Sequence, residues 1–177
     1  MLDPGSPDTW DLNFLRLERA WEGEPAALSP DPAPTADVRE LRFEEARPQR
    51  RVHLSVPWRS GEENRYPTLV DQLVDMEARA SALVDDRWFA VADGDALVAM
   101  CRLLGRDDVG QVEDVSTLPD HRGRGYARAV VGTAVAASRA AGHSLTFIAA
   151  HEDDWPREFY ARLGFELVGT VSRFRRS

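Results

Sequence analysis

Positive charge is scarce in this sequence and lysine is missing altogether: all 22 basic residues are arginine, set against 30 acidic ones, for a formal charge of −8. An acidic surface argues against a nonspecific grip on DNA or anionic lipid, although a local pair of arginines can still hold one phosphate. Cysteine is equally scarce. The single Cys101 cannot form an internal disulfide, which excludes the small disulfide-rich secreted class and suits a reducing cytosol. No uninterrupted apolar run reaches the ~18 residues of a membrane span. The first residues, acidic and proline-containing, do not resemble a signal peptide. These absences predict a cytoplasmic protein with neither a nucleic-acid nor a membrane partner.

What is present suits one compact domain with an appendage: 177 residues, 43% of them hydrophobic and 29% charged. A chain of this length buries roughly 70% of its unfolded surface without covalent help. Six of the 11 prolines lie before residue 36 (Pro4, Pro7, Pro25, Pro30, Pro32 and Pro34), so regular structure there is short and interrupted. The organisation expected is therefore an extension over 1–50, with one strand near Trp10 to Leu17 and a proline-rich linker, followed by a main domain over 51–177.

From residue 51 onward, strand-like and helix-like patterns alternate. Val38 to Ala46 reads equally as strand or helix, and Val52 to Val56 reads as a strand ended by Pro57. Leu69, Leu73, Met76, Ala80 and Leu83 recur at helical spacing, which predicts an amphipathic helix over 67–84. Trp88 to Ala92 and Ala96 to Leu103 flank Asp93-Gly94-Asp95, whose Asp-Gly pair favours a tight hairpin. A strand over Gln111 to Leu118 leads through a glycine-rich turn into a helix from Tyr126 to Ala141. Leu145 to Ala149 is a short apolar strand, Pro156 opens a helix that stops at Gly164, and Phe165 to Phe174 reads as a last strand. The sum is an α/β fold: a mixed, mostly antiparallel central sheet with helices on both faces.

The most informative segment is VSTLPDHRGRGYA, Val115 to Ala127. The first N–H groups of a helix lack partners and its dipole is positive there, so a phosphate is stabilised at that end. Gly123 and Gly125 allow close backbone approach, and Arg122 and Arg124 add charge, which together describe a pyrophosphate cradle. No GK[ST] element follows, and Arg128 stands where the third glycine of GxGxxG belongs, which disfavours a nucleoside-triphosphate loop or a dinucleotide fold. Taken alone, the turn reads equally well as a structural strand-to-helix connection with solvated arginines.

Two ordered signatures make the segment specific. Arg122-x-x-Gly125-x-Ala127 resembles the Q/R-x-x-G-x-G/A signature of the GNAT superfamily of acyl-CoA-dependent N-acyltransferases. Phe159-Tyr160-Ala161-Arg162-Leu163-Gly164-Phe165 resembles the second signature of that superfamily, at the expected distance downstream. The resemblance covers about residues 52–174. It implies that the amides of Arg122, Gly123, Arg124, Gly125, Tyr126 and Ala127 hold the CoA pyrophosphate. It also implies that Val115, Ser116 and Thr117 pair through their backbone with the pantetheine arm, where the strand splays from its neighbour and leaves an edge for an amide-bearing ligand.

The chemistry so implied is acetyl transfer from acetyl-CoA, as co-substrate, to a primary amine of a small molecule or peptide by direct attack, with no metal. Amine acylation needs a neutral nucleophile, a stabilised oxyanion and a proton for the departing thiolate. Tyr160 occupies the superfamily's usual general-acid position, and a phenol of pKa ~10 stays protonated at neutral pH. For the base, Glu113 and Asp114 are the candidates. Adjacent strand residues face opposite sides, so at most one of them faces a given acceptor pocket, and Glu113 is favoured because it shares parity with Val115 and Thr117. A solvated acidic pair is the competing reading.

Other constellations are weaker. His53, His121, His143, His151 and Cys101 lack zinc-ligand spacing, and no G-x-S-x-G elbow is present. Cys101 reads as a small core residue, His121 as a packing or phosphate-touching group, His151 as a loop residue, and Trp155 as a staple on the helix that follows. Two rivals accompany the enzyme reading: a non-catalytic acyl-CoA-binding regulatory module on the same fold, and an unrelated phosphate-binding α/β domain. Superfamily members often dimerise, and the first or last strand offers an edge for a homodimer.

Overall fold

The computed structural model describes residues 14–15, 36–56, 69–150 and 155–170. Within them run β1 (Phe14–Leu15), β2 (Val38–Leu41), α1 (Phe43–Ser55), α2 (Val70–Ser81), β3 (Asp85–Asp93), β4 (Ala96–Arg106), β5 (Val109–Thr117), α3 (Tyr126–Ala140), β6 (Leu145–Ala149) and α4 (Pro156–Arg162). One six-stranded sheet has the order β1-β6-β5-β4-β3-β2. Every neighbouring pair is antiparallel except β5 and β6, which run parallel. The architecture is the mixed, mostly antiparallel α/β sheet that the patterning predicts.

The period of two along β3 and β4 sorts the core into two layers. Trp88, Ala90 and Met100 face Phe43 and Ala46 of α1 and Val74 of α2. On the other face Phe89, Val91, Cys101, Leu103 and Val112 meet Val130, Val131, Ala134 and Val135 of α3, together with Ile148, Tyr160 and Leu163. Helices therefore cover both faces, and residues 98–103 of β4 are buried without interruption, as a strand covered on both sides requires. Each large apolar side chain sealed in this way contributes about 1.5–3 kcal/mol before conformational entropy is subtracted.

Several local expectations change. Val52 to Val56 is not a strand. It is the end of α1, and Val52 is 45% exposed. The face of α1 that is buried consists of Phe43, Ala46, Arg50 and His53, a helical spacing that a hydrophobic count misses because half of it is polar. Pro48 lies inside the helix without an N–H to donate. The ambiguous segment from Val38 holds both structures: β2 pairs with β3, and α1 starts after Arg42, whose N–H donates to the Glu45 carboxylate at 2.8 Å. α1 runs continuously through residue 50, where the sequence suggests a boundary between extension and main domain.

The helix predicted over 67–84 forms as α2, with its phase rotated. Val70, Val74 and Glu77 are buried, while Met76 is 57% and Leu83 79% exposed. Glu77 is inside because it meets Arg50 of α1, an ion pair that outweighs the apolar pattern. Residues 165–170 form no strand, which corrects the first part of the strand expected over Phe165 to Phe174; 171–174 lie outside the described residues. Of the strand expected near Trp10 to Leu17, Phe14 and Leu15 pair with Ala149 and Ile148 of β6, and the rest lies outside the described residues.

Candidate functional site

The turn between β5 and α3 is built by its own backbone. A single 3₁₀ turn, Pro119–His121, follows β5, and the chain then passes through left-handed conformations at Gly123 (φ 74°) and Gly125 (φ 79°), the latter being the N-cap of α3. A side chain with a Cβ is strained at such angles, which is why glycine stands there. Among the described residues, no backbone carbonyl partners the amides from Gly123 to Ala127. The result is an exposed concavity of N–H groups at the positive end of a 15-residue helix, an arrangement that stabilises a phosphate.

The side chains of the loop brace it. Arg122 Nε donates to the Thr117 carbonyl at 3.1 Å and Arg124 Nη2 to the Asp120 carbonyl at 3.0 Å, leaving each guanidinium further donors. His121 Nε2 lies 3.2 Å from Asp93 at the end of β3, so its ring ties the loop to the β3–β4 hairpin. Thr117 Oγ1 is buried and without a hydrogen-bond partner.

The strand entering this loop parts from its neighbour. β5 pairs with β6 only from Val109 to Val112, so the β6-facing side of residues 113–117 is left open. On the opposite side β5 stays paired with β4, but the register slips between Met100 and Arg102: Glu113 is opposite Arg102 and Ser116 opposite Met100. Two residues, Asp114 and Val115, thus oppose Cys101, and Asp114 adopts φ 56°. This is a β-bulge, which bends a strand and increases its twist.

The bulge overturns the parity argument for Glu113. Glu113 shares a face with Ser116, on the side of α1 and α2, whereas Val115 packs against the cluster under α3. Asp114 points the same way as Glu113 and is gripped by Arg50 at 2.5 Å and by Arg102 at 3.5 Å. The two carboxylates differ in environment. Asp114 is matched by two guanidiniums, whereas the half-buried Glu113 accepts a hydrogen bond from Gln111 and is pushed up to about 7, mainly by burial and then by the adjacent Asp114 charge. A carboxylate with that value accepts a proton near neutral pH.

Tyr160 comes from the other face. It is 6% exposed and sits between the Phe159 and Phe165 rings at 5.4 and 6.0 Å. Burial pushes its phenol up, so the hydroxyl stays protonated and acts as a hydrogen-bond donor. Glu113 and Tyr160 therefore lie on opposite sides of the sheet. Cys101 is fully buried and its thiol is likewise pushed up by burial, the setting of an inert core residue.

The residues that the sequence reading passed over lie on α1 and α2. His53 Nε2 donates to the Leu97 carbonyl at 2.7 Å, which fixes the tautomer and leaves Nδ1 to accept from the Ser116 hydroxyl at 2.8 Å. Burial holds the imidazole below its ordinary value, so it is neutral. Beside it, Arg50 donates to Glu77 at 2.7 Å and Arg102 to Asp86 at 2.8 Å, and both guanidiniums lie over the Trp88 ring, at 5.6 and 5.2 Å. Trp155 stacks on Phe159 at 6.0 Å, as a staple would, yet is 57% exposed. His151 lies outside the described residues. Among the described residues no group of three or more His, Cys, Asp or Glu is placed to hold a metal ion, and no helix is long and apolar enough to cross a membrane.

Comparison with known proteins agrees with this geometry. The model of the acetyltransferase (GNAT) family matches residues 38–165. No curated protein matches the sequence. Among solved structures, a conserved protein of unknown function from Staphylococcus epidermidis is similar at 12% identity and a TM-score of 0.60, over 90% of this chain and 57% of its own. A protein from Novosphingobium aromaticivorans assigned to the GNAT family is similar at 18% identity and a TM-score of 0.58, over 92% of this chain and 62% of its own. The chain thus spans less than two thirds of the length of either. The PaiA N-acetyltransferase of Thermoplasma acidophilum, in complex with coenzyme A, is similar at 12% identity and a TM-score of 0.55, over 72% of this chain and 87% of its own.

Proposed function

The chain belongs to the acetyltransferase (GNAT) family, and on that premise we propose that it is an N-acetyltransferase that passes an acetyl group from acetyl-CoA to a primary amine by direct attack. One observation carries the reading: a cradle of unpartnered amides from Gly123 to Ala127 is continuous with the stretch of β5 that has left β6. A diphosphate joined to an extended, amide-bearing arm matches that sequence of groups, and the buried, unpartnered Thr117 Oγ1 lies along it. The similar Thermoplasma acidophilum enzyme in complex with coenzyme A supports the same ligand class.

The residues divide the work as follows. The amides of Gly123, Arg124, Gly125, Tyr126 and Ala127 bind the pyrophosphate, whereas the Arg122 N–H expected to join them donates to the Pro119 carbonyl at 3.2 Å; the two arginine side chains add charge at the rim. Val115, Ser116 and Thr117 orient the arm along the side of β5 that β6 leaves, where the Thr117 carbonyl also accepts from Arg122 Nε. When bound, acetyl-CoA supplies an activated thioester. Glu113 takes a proton from the incoming ammonium, directly or through water, for which a value of about 7 is suited. Tyr160 Oη donates a hydrogen bond to the departing sulfur; with its phenol pushed up, it stabilises developing charge without giving up its proton beforehand. The acceptor is a small-molecule or peptide amine in the cytoplasm.

Thermal melting with and without saturating acetyl-CoA, followed by a thiol-release assay over a panel of amines, tests the proposal. Stabilisation by acetyl-CoA and thiol release that depends on an amine support it. The absence of any stabilisation overturns it.

A further inference from the structure

The left-handed bulge at Asp114 is not held by β5 itself. Its carboxylate meets Arg50 of α1 through one oxygen and Arg102 of β4 through the other. Both guanidiniums are immobilised in turn. Their side chains are 6% and 4% exposed, Glu77 holds Arg50 and Asp86 holds Arg102 through Nε and Nη2, and the fully buried Trp88 lies beneath both. Five charged side chains from α1, α2, β3, β4 and β5 thus converge on one backbone irregularity. The strand leaves β6 after Val112, immediately before that irregularity, and regains register with β4 at Ser116 and Thr117.

We propose that Arg50 and Arg102 are positioning residues: by clamping Asp114 they fix the bulge that turns the free edge of Val115, Ser116 and Thr117 toward the acyl-CoA arm. The proposal rests on the acetyl-CoA reading and adds to it the device that shapes the binding edge. The clamp acts on the arm and not on the pyrophosphate. The amides of Gly123 to Ala127 belong to a loop with its own glycine geometry and its own brace from Arg124 to the Asp120 carbonyl. Asparagine, aspartate and glycine tolerate the left-handed region, whereas a β-branched side chain does not. An aspartate left without its clamp, or a β-branched residue at 114, lets the strand relax toward regular pairing so that the arm loses its edge, whereas glycine, unstrained in the left-handed region, keeps the bulge without a clamp.

The test compares two probes by isothermal titration calorimetry: acetyl-CoA, and adenosine 3′-phosphate 5′-diphosphate, which carries the diphosphate without the arm. In Asp114→Val the dissociation constant for acetyl-CoA rises about tenfold or more while that for the nucleotide stays within about twofold; in Asp114→Gly both stay within about threefold. If Asp114→Val does not fold, Arg50→Met carries the same expectation, and adding Asp114→Gly to Arg50→Met restores acetyl-CoA affinity by removing both the unpaired carboxylate and the need for a clamp. Equal losses for the two probes, or a glycine variant as impaired as the valine one, overturn the proposal. Failure of the wild-type protein to bind acetyl-CoA overturns the reading beneath it instead.

Discussion

Replacing Glu113 by glutamine separates what this side chain does for catalysis from what it costs the fold. Its carboxyl is pushed from an ordinary 4.5 to about 7, first by burial and then by Asp114. A raised carboxyl binds its proton more tightly in the folded chain than in the unfolded one, so stability falls as pH rises through the window between those two values. At about 1.36 kcal/mol for each pH unit, the ionised carboxylate costs the native state about 3 kcal/mol above neutral pH. Glutamine keeps the shape and an acceptor oxygen for Gln111 while removing the charge. Urea unfolding of Glu113→Gln at roughly pH 8 is therefore expected to show a gain of about 2–3 kcal/mol over wild type, shrinking toward zero near roughly pH 4. Activity moves the opposite way. Wild-type kcat/KM rises with pH through about 7, with only about 1% of the base ionised at roughly pH 5, and the variant lacks that limb. A glutamine variant that is no more stable at high pH, or one that retains the rising limb, refutes the assignment.

Other perturbations have expected outcomes of their own. Tyr160→Phe lowers kcat by about 100-fold and leaves the melting temperature within a few degrees, since the ring keeps its packing between Phe159 and Phe165; a steady-state assay with unchanged kcat contradicts its role. Gly125→Val forces a β-branched residue to φ 79° at the N-cap of α3, so acetyl-CoA affinity drops about tenfold or more by calorimetry. Trp88→Ala removes the fully buried ring beneath Arg50 and Arg102 and destabilises by about 3–5 kcal/mol in urea unfolding, among the largest effects of any single core change.

The sheet from β3 to β6 and the helices α3 and α4 were legible in the sequence because their apolar residues follow the backbone period and glycines punctuate their ends. The α1–α2 layer was not. Its inward faces carry Arg50, His53 and Glu77, so the hydrophobic pattern points elsewhere: Met76 and Leu83 are exposed while Glu77 is buried. Buried charges of this kind are recognisable only once their partners on other elements are known. The candidate site shows the same division. Its cradle was visible as Arg122-x-x-Gly125-x-Ala127, a local motif. The face of Glu113 was misread because a single left-handed residue, Asp114, breaks the alternation on which parity depends. Aspartate visits that conformation often enough that no sequence signal marks it.

Acetyl transfer to an amine is tested by the release of CoA thiol from acetyl-CoA with the purified wild-type protein, measured across a broad panel of primary amines. The expected release depends on at least one amine and is matched by the acetylated product in mass spectrometry. Binding of acetyl-CoA with no amine-dependent release anywhere in the panel would contradict it and leave a protein that holds acyl-CoA without turning it over.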